Sequence, residues 1–172
     1  MQKLNLNKNI IKVIKKIRLL CLDVDGVMTD GGVYYCDNGT ISRKYNIQDG
    51  YGIKEILDLG YHVAVITMST EKNIEMRVKS LKIQHYFCGI KDKLNAVKEL
   101  SRMLNLKMSQ VAFLGDDLND LHAMKCVGLP ISVPNAVKEV KKVTFFTTTL
   151  PGGTGAIRQV CDIIKRYGGI KN

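Results

Sequence analysis

A chain of 172 residues, 45% hydrophobic and 24% charged, is long enough for one domain with a sizeable core and too short for two. Its 26 Lys and Arg outnumber 16 Asp and Glu, giving a formal net charge of +10, but the basic residues are scattered rather than gathered into an arm. With 6% aromatic residues and no Trp the chain also lacks the stacking platforms of a nucleic-acid binder, so the expected partner is a small anionic molecule and not a nucleic acid.

Taken in chain order, MQKLNLNKNIIKVIKKIRLL opens with lysines interrupting every apolar stretch. No 18-residue apolar span and no small-residue cleavage pattern occur, so neither a membrane helix nor a signal peptide is expected. A short amphipathic helix over roughly residues 6–15 leads instead into a first strand, IRLLCLD (17–23). Next comes GGVYYCDNGTISRKYN (31–46), two β-rich stretches around Asp37-Asn38-Gly39. Asn-Gly predicts a type I′ turn, with positive φ at both central residues, and hence a projecting hairpin. Its apolar residues Val33, Tyr35 and Ile41 must pack either on their own domain or on another subunit, because exposed apolar strands invite aggregation.

From there strands and helices alternate. The strand candidates are HVAVIT (62–67), HYFCG (85–89), VAFLGD (111–116), LPISV (129–133) and VTFFT (143–147). Between them GIKEILDLG (52–60), EKNIEMRVKSLKI (71–83), KLNAVKELSRMLNL (93–106) and LNDLHAMKCVG (118–128) repeat apolar residues every three or four positions, with Gly60 and Gly128 placed as helix stops. This alternation predicts an α/β fold, a Rossmann-like doubly wound parallel sheet with helices on both faces, formed by residues 1–172 as a single domain. The five cysteines hold no Cys-x-x-Cys pair and are odd in number. They are expected as reduced thiols of a cytoplasmic protein, with Cys21, Cys88 and Cys161 in or near the core. His62, His85 and His122 lack ligand spacing.

In open α/β sheets ligands bind beyond the carboxyl ends of the strands. Those ends carry Asp23, Asp25 and Gly26, then Thr67, then Lys93 at a helix start, then Asp116 and Asp117. Carboxylates crowded there repel one another unless a divalent cation compensates, and Mg²⁺ prefers such hard oxygen ligands. Asp23, Asp116 and the backbone carbonyl of Asp25 are the expected ligands, with Asp117 orienting the shell. Asp23 is the expected nucleophile and Asp25 the acid and base. Thr67 and Lys93 are expected to hold phosphate oxygens, and Gly26 lets the chain turn beside them. A phospho-accepting receiver domain uses similar groups, but there the lysine comes last, whereas Gly115-Asp116-Asp117 follows both Thr67 and Lys93 here.

The motifs Asp23-Val24-Asp25-Gly26-Val27, Thr67, Lys93 and Gly115-Asp116-Asp117-Leu118-Asn119-Asp120 resemble those of the haloacid dehalogenase superfamily of aspartate-dependent phosphatases. Thr29-Asp30-Gly31, Asn46-Ile47-Gln48-Asp49-Gly50-Tyr51-Gly52-Ile53 and the 152–161 segment are similar to the 3-deoxy-D-manno-octulosonate 8-phosphate phosphatases within it, enzymes of lipopolysaccharide precursor synthesis. The resemblance runs from about residue 17 to 167. It implies a capless domain, Mg²⁺, a sugar-acid phosphate substrate contacted by Asp49 and Gly50, and Asn119 and Asp120 supporting the metal's ligands. It also implies a homotetramer built through the 31–46 hairpin, in which a neighbour's C-terminal tail helps close each site. Where that family usually carries cations, this chain has Gln48, Met68-Ser69 and Thr154. A phosphatase of nine-carbon ulosonate 9-phosphates would share every catalytic residue, and Lys72 or Arg158 are the candidate compensating cations.

Overall fold

The computed structural model describes Leu4 and residues 6–170. Asn7 caps the first helix, α1 (Lys8–Ile14), its side chain accepting from the amides of Asn9 and Ile10. Strand β1 (Leu19–Leu22) follows, then the hairpin strands β2 (Tyr34–Tyr35) and β3 (Ile41–Ser42). The alternation then runs α2 (Ile47–Asp58), β4 (His62–Ile66), α3 (Lys72–Ser80), β5 (His85–Phe87), α4 (Lys93–Met103), β6 (Val111–Gly115), α5 (Leu121–Met124), β7 (Leu129–Ser132), α6 (Lys138–Lys141), β8 (Phe146–Thr147) and α7 (Ala156–Tyr167).

Six strands form one parallel sheet in the order β5-β4-β1-β6-β7-β8. The chain builds outward from β1 through β4 to β5, then returns to the other side of β1 for β6, β7 and β8. Right-handed crossovers put α2 and α3 on one face and α4, α5 and α6 on the other. Helix α7 packs on α2, and α4 on α5. Strands β1 and β6 are buried from end to end, as continuous apolar runs covered on both faces must be. Reversal of direction at β1 opens a crevice between the carboxyl ends of β1 and β6, where the site lies.

The hairpin is the one insertion between β1 and α2, and its turn differs from the Asn-Gly expectation. Asn38 keeps negative φ and Gly39 alone turns left-handed at φ 78°. The Gly39 amide donates to Cys36 O and the Cys36 amide to Thr40 O, a type I turn with a glycine bulge. Asn38 is occupied otherwise, its side chain accepting from the Thr40 amide and hydroxyl. Val33, Tyr34 and Tyr35 are exposed, Tyr35 at 80%, so packing on their own domain is excluded for them.

Gly60 ends α2 as expected, at φ 88° with the Tyr61 amide on Ile56 O. Gly128 does not end a helix: α5 stops at Met124, and Gly128 is small because a side chain there would collide with Ser109 O. Cys21 and Cys161 are buried, whereas Cys88 is exposed, contrary to expectation. Helix α7 is absent from the periodic segments read above, and α2 begins five residues before its expected start at 52, so that Asp49 and Gly50 fall in its first turns.

Candidate active site

The loop after β1 carries the first two acids. Three amides, of Val27, Met28 and Thr29, converge on Val24 O, which coils the chain tightly beyond the strand end. The buried Thr29 hydroxyl lies within hydrogen-bonding distance of the Gly26 and Gly31 amides, at 3.4 and 3.2 Å. From the far side Asn135 Nδ2 donates to Gly26 O at 2.8 Å, and the Gly153 amide donates to Val27 O. Gly26 sits at φ 88°, and any side chain there would strike the Asp116 carboxylate. This close approach joins the β1 loop to the β6 loop.

Asp23, Asp116 and Asp120 bring one carboxylate oxygen each within 4.8 Å of one another. Lys93, the first residue of α4, reaches into this cluster with its side chain fully buried, and its Nζ lies 2.6 Å from both Asp23 Oδ1 and Asp120 Oδ1. Burial by itself would lower the Lys93 pKa, but the two carboxylates raise it above its usual value, so it stays an ammonium. Burial and the Asp120 charge lift Asp23 to about 6 against the pull of Lys93. Burial and the Asp23 and Asp120 charges lift Asp116 to about 8.

Asp120 holds the arrangement together. Its Oδ1 takes Lys93 and its Oδ2 accepts the Asp116 amide at 3.0 Å and the Asp117 amide at 3.3 Å. Both oxygens are thus engaged, whereas buried Asp116 Oδ1 has no partner. An orphaned buried carboxylate oxygen beside a second carboxylate is costly, and an all-oxygen set of this kind fits Mg²⁺, which Asp23 and Asp116 could hold.

The other sequence-expected residues fall into place around this core or leave it. Thr67, at the end of β4, is buried and its hydroxyl accepts the Ser69 amide at 3.1 Å, which leaves its own proton free to donate. The Asp25 side chain turns away from the cluster to Arg43, whose Nε and Nη2 meet its two oxygens at 2.7 and 3.2 Å. Asp117 is exposed and its Oδ1 accepts the Leu118 amide; Asn119, also exposed, donates to Met68 Sδ. Asp49 lies buried in the first turn of α2. Its carboxylate accepts the Gly155 and Arg158 amides and so caps α7, and burial raises its pKa against those bonds. Gly50 packs under Arg77, which donates to Asn46 O, and a side chain at Gly50 would collide with that guanidinium.

Arg43 was not expected, because it lies just past β3 in a segment with no strand-end signal. Among the residues considered as compensating cations, Arg158 is held by Asp162 and Glu55 and stacks on Tyr51, and Lys72 is exposed at the start of α3. Arg43 is a guanidinium that reaches the site, through Asp25. Asn135, which braces Gly26, was equally invisible: it follows Pro134 in a loop that becomes adjacent only in the fold.

The haloacid dehalogenase-like hydrolase family profile matches residues 80–155. A 3-deoxy-D-manno-octulosonate 8-phosphate phosphatase of Yersinia pestis, KdsC, is 40% identical over 156 residues, covering 91% of this chain and 83% of that protein. The chain belongs to the 3-deoxy-D-manno-octulosonate 8-phosphate phosphatase family. The corresponding phosphatase of Escherichia coli K12 is 39% identical over the same share of both chains. The crystal structure of the Moraxella catarrhalis phosphatase, in complex with a magnesium ion, a phosphate ion and KDO, superposes with a TM-score of 0.91. It is 37% identical, and the match covers 94% of each chain. A superposition this close at this identity shows that the chain has the haloacid dehalogenase-like fold expected from the motifs.

Proposed function

We propose that the chain hydrolyses 3-deoxy-D-manno-octulosonate 8-phosphate to the free sugar acid and inorganic phosphate, with Mg²⁺ bound by Asp23, Asp116 and the Asp25 carbonyl. The observation that carries this reading is the pairing of one fully buried lysine with a buried cluster of carboxylates, one oxygen of which has no protein partner. When bound, Mg²⁺ offsets the repulsion between a phosphate dianion and Asp23.

Everything else falls to the protein's own residues. Asp23 has its Oδ1 fixed by Lys93, which leaves Oδ2 to attack phosphorus. Lys93 and the Thr67 hydroxyl meet the non-bridging oxygens. As the ester P–O bond breaks, Asp25 gives its proton to the departing alkoxide; it then takes a proton from the water that cleaves the aspartyl-phosphate and frees Asp23. The relatives' substrate supports the eight-carbon acid. A nine-carbon ulosonate 9-phosphate is the second reading, because exposed Gln48, half-exposed Met68 and Thr154, whose hydroxyl bonds Pro151 O, present no cation. On this reading the enzyme works in the cytoplasm as a homotetramer, assembled through the aromatic hairpin.

Steady-state rates on both esters, side by side with Mg²⁺, test the assignment. The eight-carbon ester is expected to be turned over faster. Faster turnover of the nine-carbon ester reassigns the substrate, and activity surviving in Asp23→Asn removes the nucleophile.

A further inference from the structure

Outside the carboxylate cluster, Arg43 is a polar group at the site held by several partners. It follows β3 directly, yet its side chain is only 6% exposed, because it points back from the hairpin base into the crevice. Nε and Nη2 grip the two oxygens of Asp25 as a fork. Two further N–H groups are engaged, one on Nη2 with Ser69 Oγ at 3.2 Å and one on Nη1 with Asn73 Oδ1 at 3.4 Å. Asn73 in turn donates from Nδ2 to Ile41 O in β3 at 2.6 Å. The hairpin, the β4–α3 loop and the β1 loop are thus tied at one guanidinium. A planar fork fixes the plane and direction of the carboxylate it holds, which a lysine cannot do. The Asp25 carboxylate has further lone pairs beyond the two this fork uses, and these remain for the reacting oxygen.

We infer that Arg43 is a positioning residue: it aims the Asp25 carboxyl at the leaving oxygen and makes turnover depend on where the hairpin sits. The inference rests on Asp25 serving as the acid and base proposed above. Alkyl esters need a proton on the departing oxygen, whereas p-nitrophenolate leaves without one. Misaiming Asp25 therefore slows the alkyl substrate selectively, and a general scaffolding role slows both substrates alike.

The experiment compares wild type, Arg43→Met, Arg43→Lys, Asn73→Ala and Asp25→Asn with Mg²⁺ present. Two readouts are taken: kcat and KM on the sugar-acid phosphate, and the rate of the nitrophenolate burst from p-nitrophenyl phosphate. Loss of a general acid or base costs roughly 10²–10⁴-fold, so partial misaiming in Arg43→Met is expected to lower kcat on the alkyl ester about 10- to 100-fold. KM and the burst rate should stay within about threefold, and the retained burst also shows that the variant is folded. Asn73→Ala should show a weaker version of the same pattern, and Arg43→Lys should recover part of the loss. Equal loss on both substrates, or no loss on either, overturns the role of Arg43. If Asp25→Asn itself spares the alkyl ester, the acid–base reading falls and the role of Arg43 with it; selective loss in Asp25→Asn without it in Arg43→Met removes Arg43 alone.

Discussion

Asp23 and Asp116 titrate higher in the fold than in the unfolded chain, to about 6 and about 8, because both are buried beside Asp120 and Asp116 also lies beside Asp23. An unfolded aspartate titrates near pH 3.9, so between about pH 4 and pH 8 the native, metal-free protein binds more protons than the unfolded chain. Stability therefore falls as pH rises through that window. Lys93, whose pKa is also raised, lowers stability with rising pH only above its ordinary value and leaves the window unaltered. Metal reverses the trend, since Mg²⁺ binds only deprotonated carboxylates. Thermal unfolding in EDTA should give a lower Tm at pH 8 than at pH 5.5, and the rise in Tm on adding Mg²⁺ should be larger at pH 8 than at pH 6. Equal rises at the two pH values would remove Asp23 and Asp116 as the ligands.

Elements here are held by contacts that local sequence does not announce. Helix α7 begins after Gly155 at φ 113°, with no capping side chain of its own. Its orphan amides go to Asp49, which lies more than a hundred residues earlier in the first turn of α2. This explains why no local residue marks the start of α7, although Ile157, Val160, Cys161 and Ile164 repeat at helical spacing, and where the Asp49 carboxylate is engaged. Asp49→Ala should destabilise the fold by about 1–3 kcal/mol, the range for losing a buried charge-assisted bond, as read by urea unfolding. The mechanism needs no Asp49 oxygen, so kcat should stay within a few-fold; a large fall in kcat with stability intact would return Asp49 to the substrate.

At the scale of the whole molecule the hairpin stands out as exposed apolar surface. Val33, Tyr34 and Tyr35 are exposed on β2 and its approach, with Ile47 and Tyr51 exposed at the start of α2. Apolar side chains so placed are a liability for a monomer and the makings of an interface. Light scattering on the wild type is expected to give a tetramer, and Tyr34→Glu with Tyr35→Glu a smaller species that keeps its fold by circular dichroism. A wild-type monomer would overturn the hairpin-mediated assembly.

The order of motifs along the chain determined the sheet class, the side of the sheet that carries the site, and the acids, threonine and lysine gathered there. Apart from Lys93, which opens α4, those are strand-end positions, and a parallel sheet places every carboxyl strand end on one edge whatever the helices do. Asn38-Gly39 does not take the type I′ geometry that the dipeptide predicts, because the Asn38 side chain bonds locally to Thr40. Asp120 as the support of Lys93, Arg43 on Asp25, Asn135 on Gly26 and Asp49 on α7 were decided only by tertiary structure. Each joins residues at least 18 positions apart, through a side chain whose partner no helical or strand period can name.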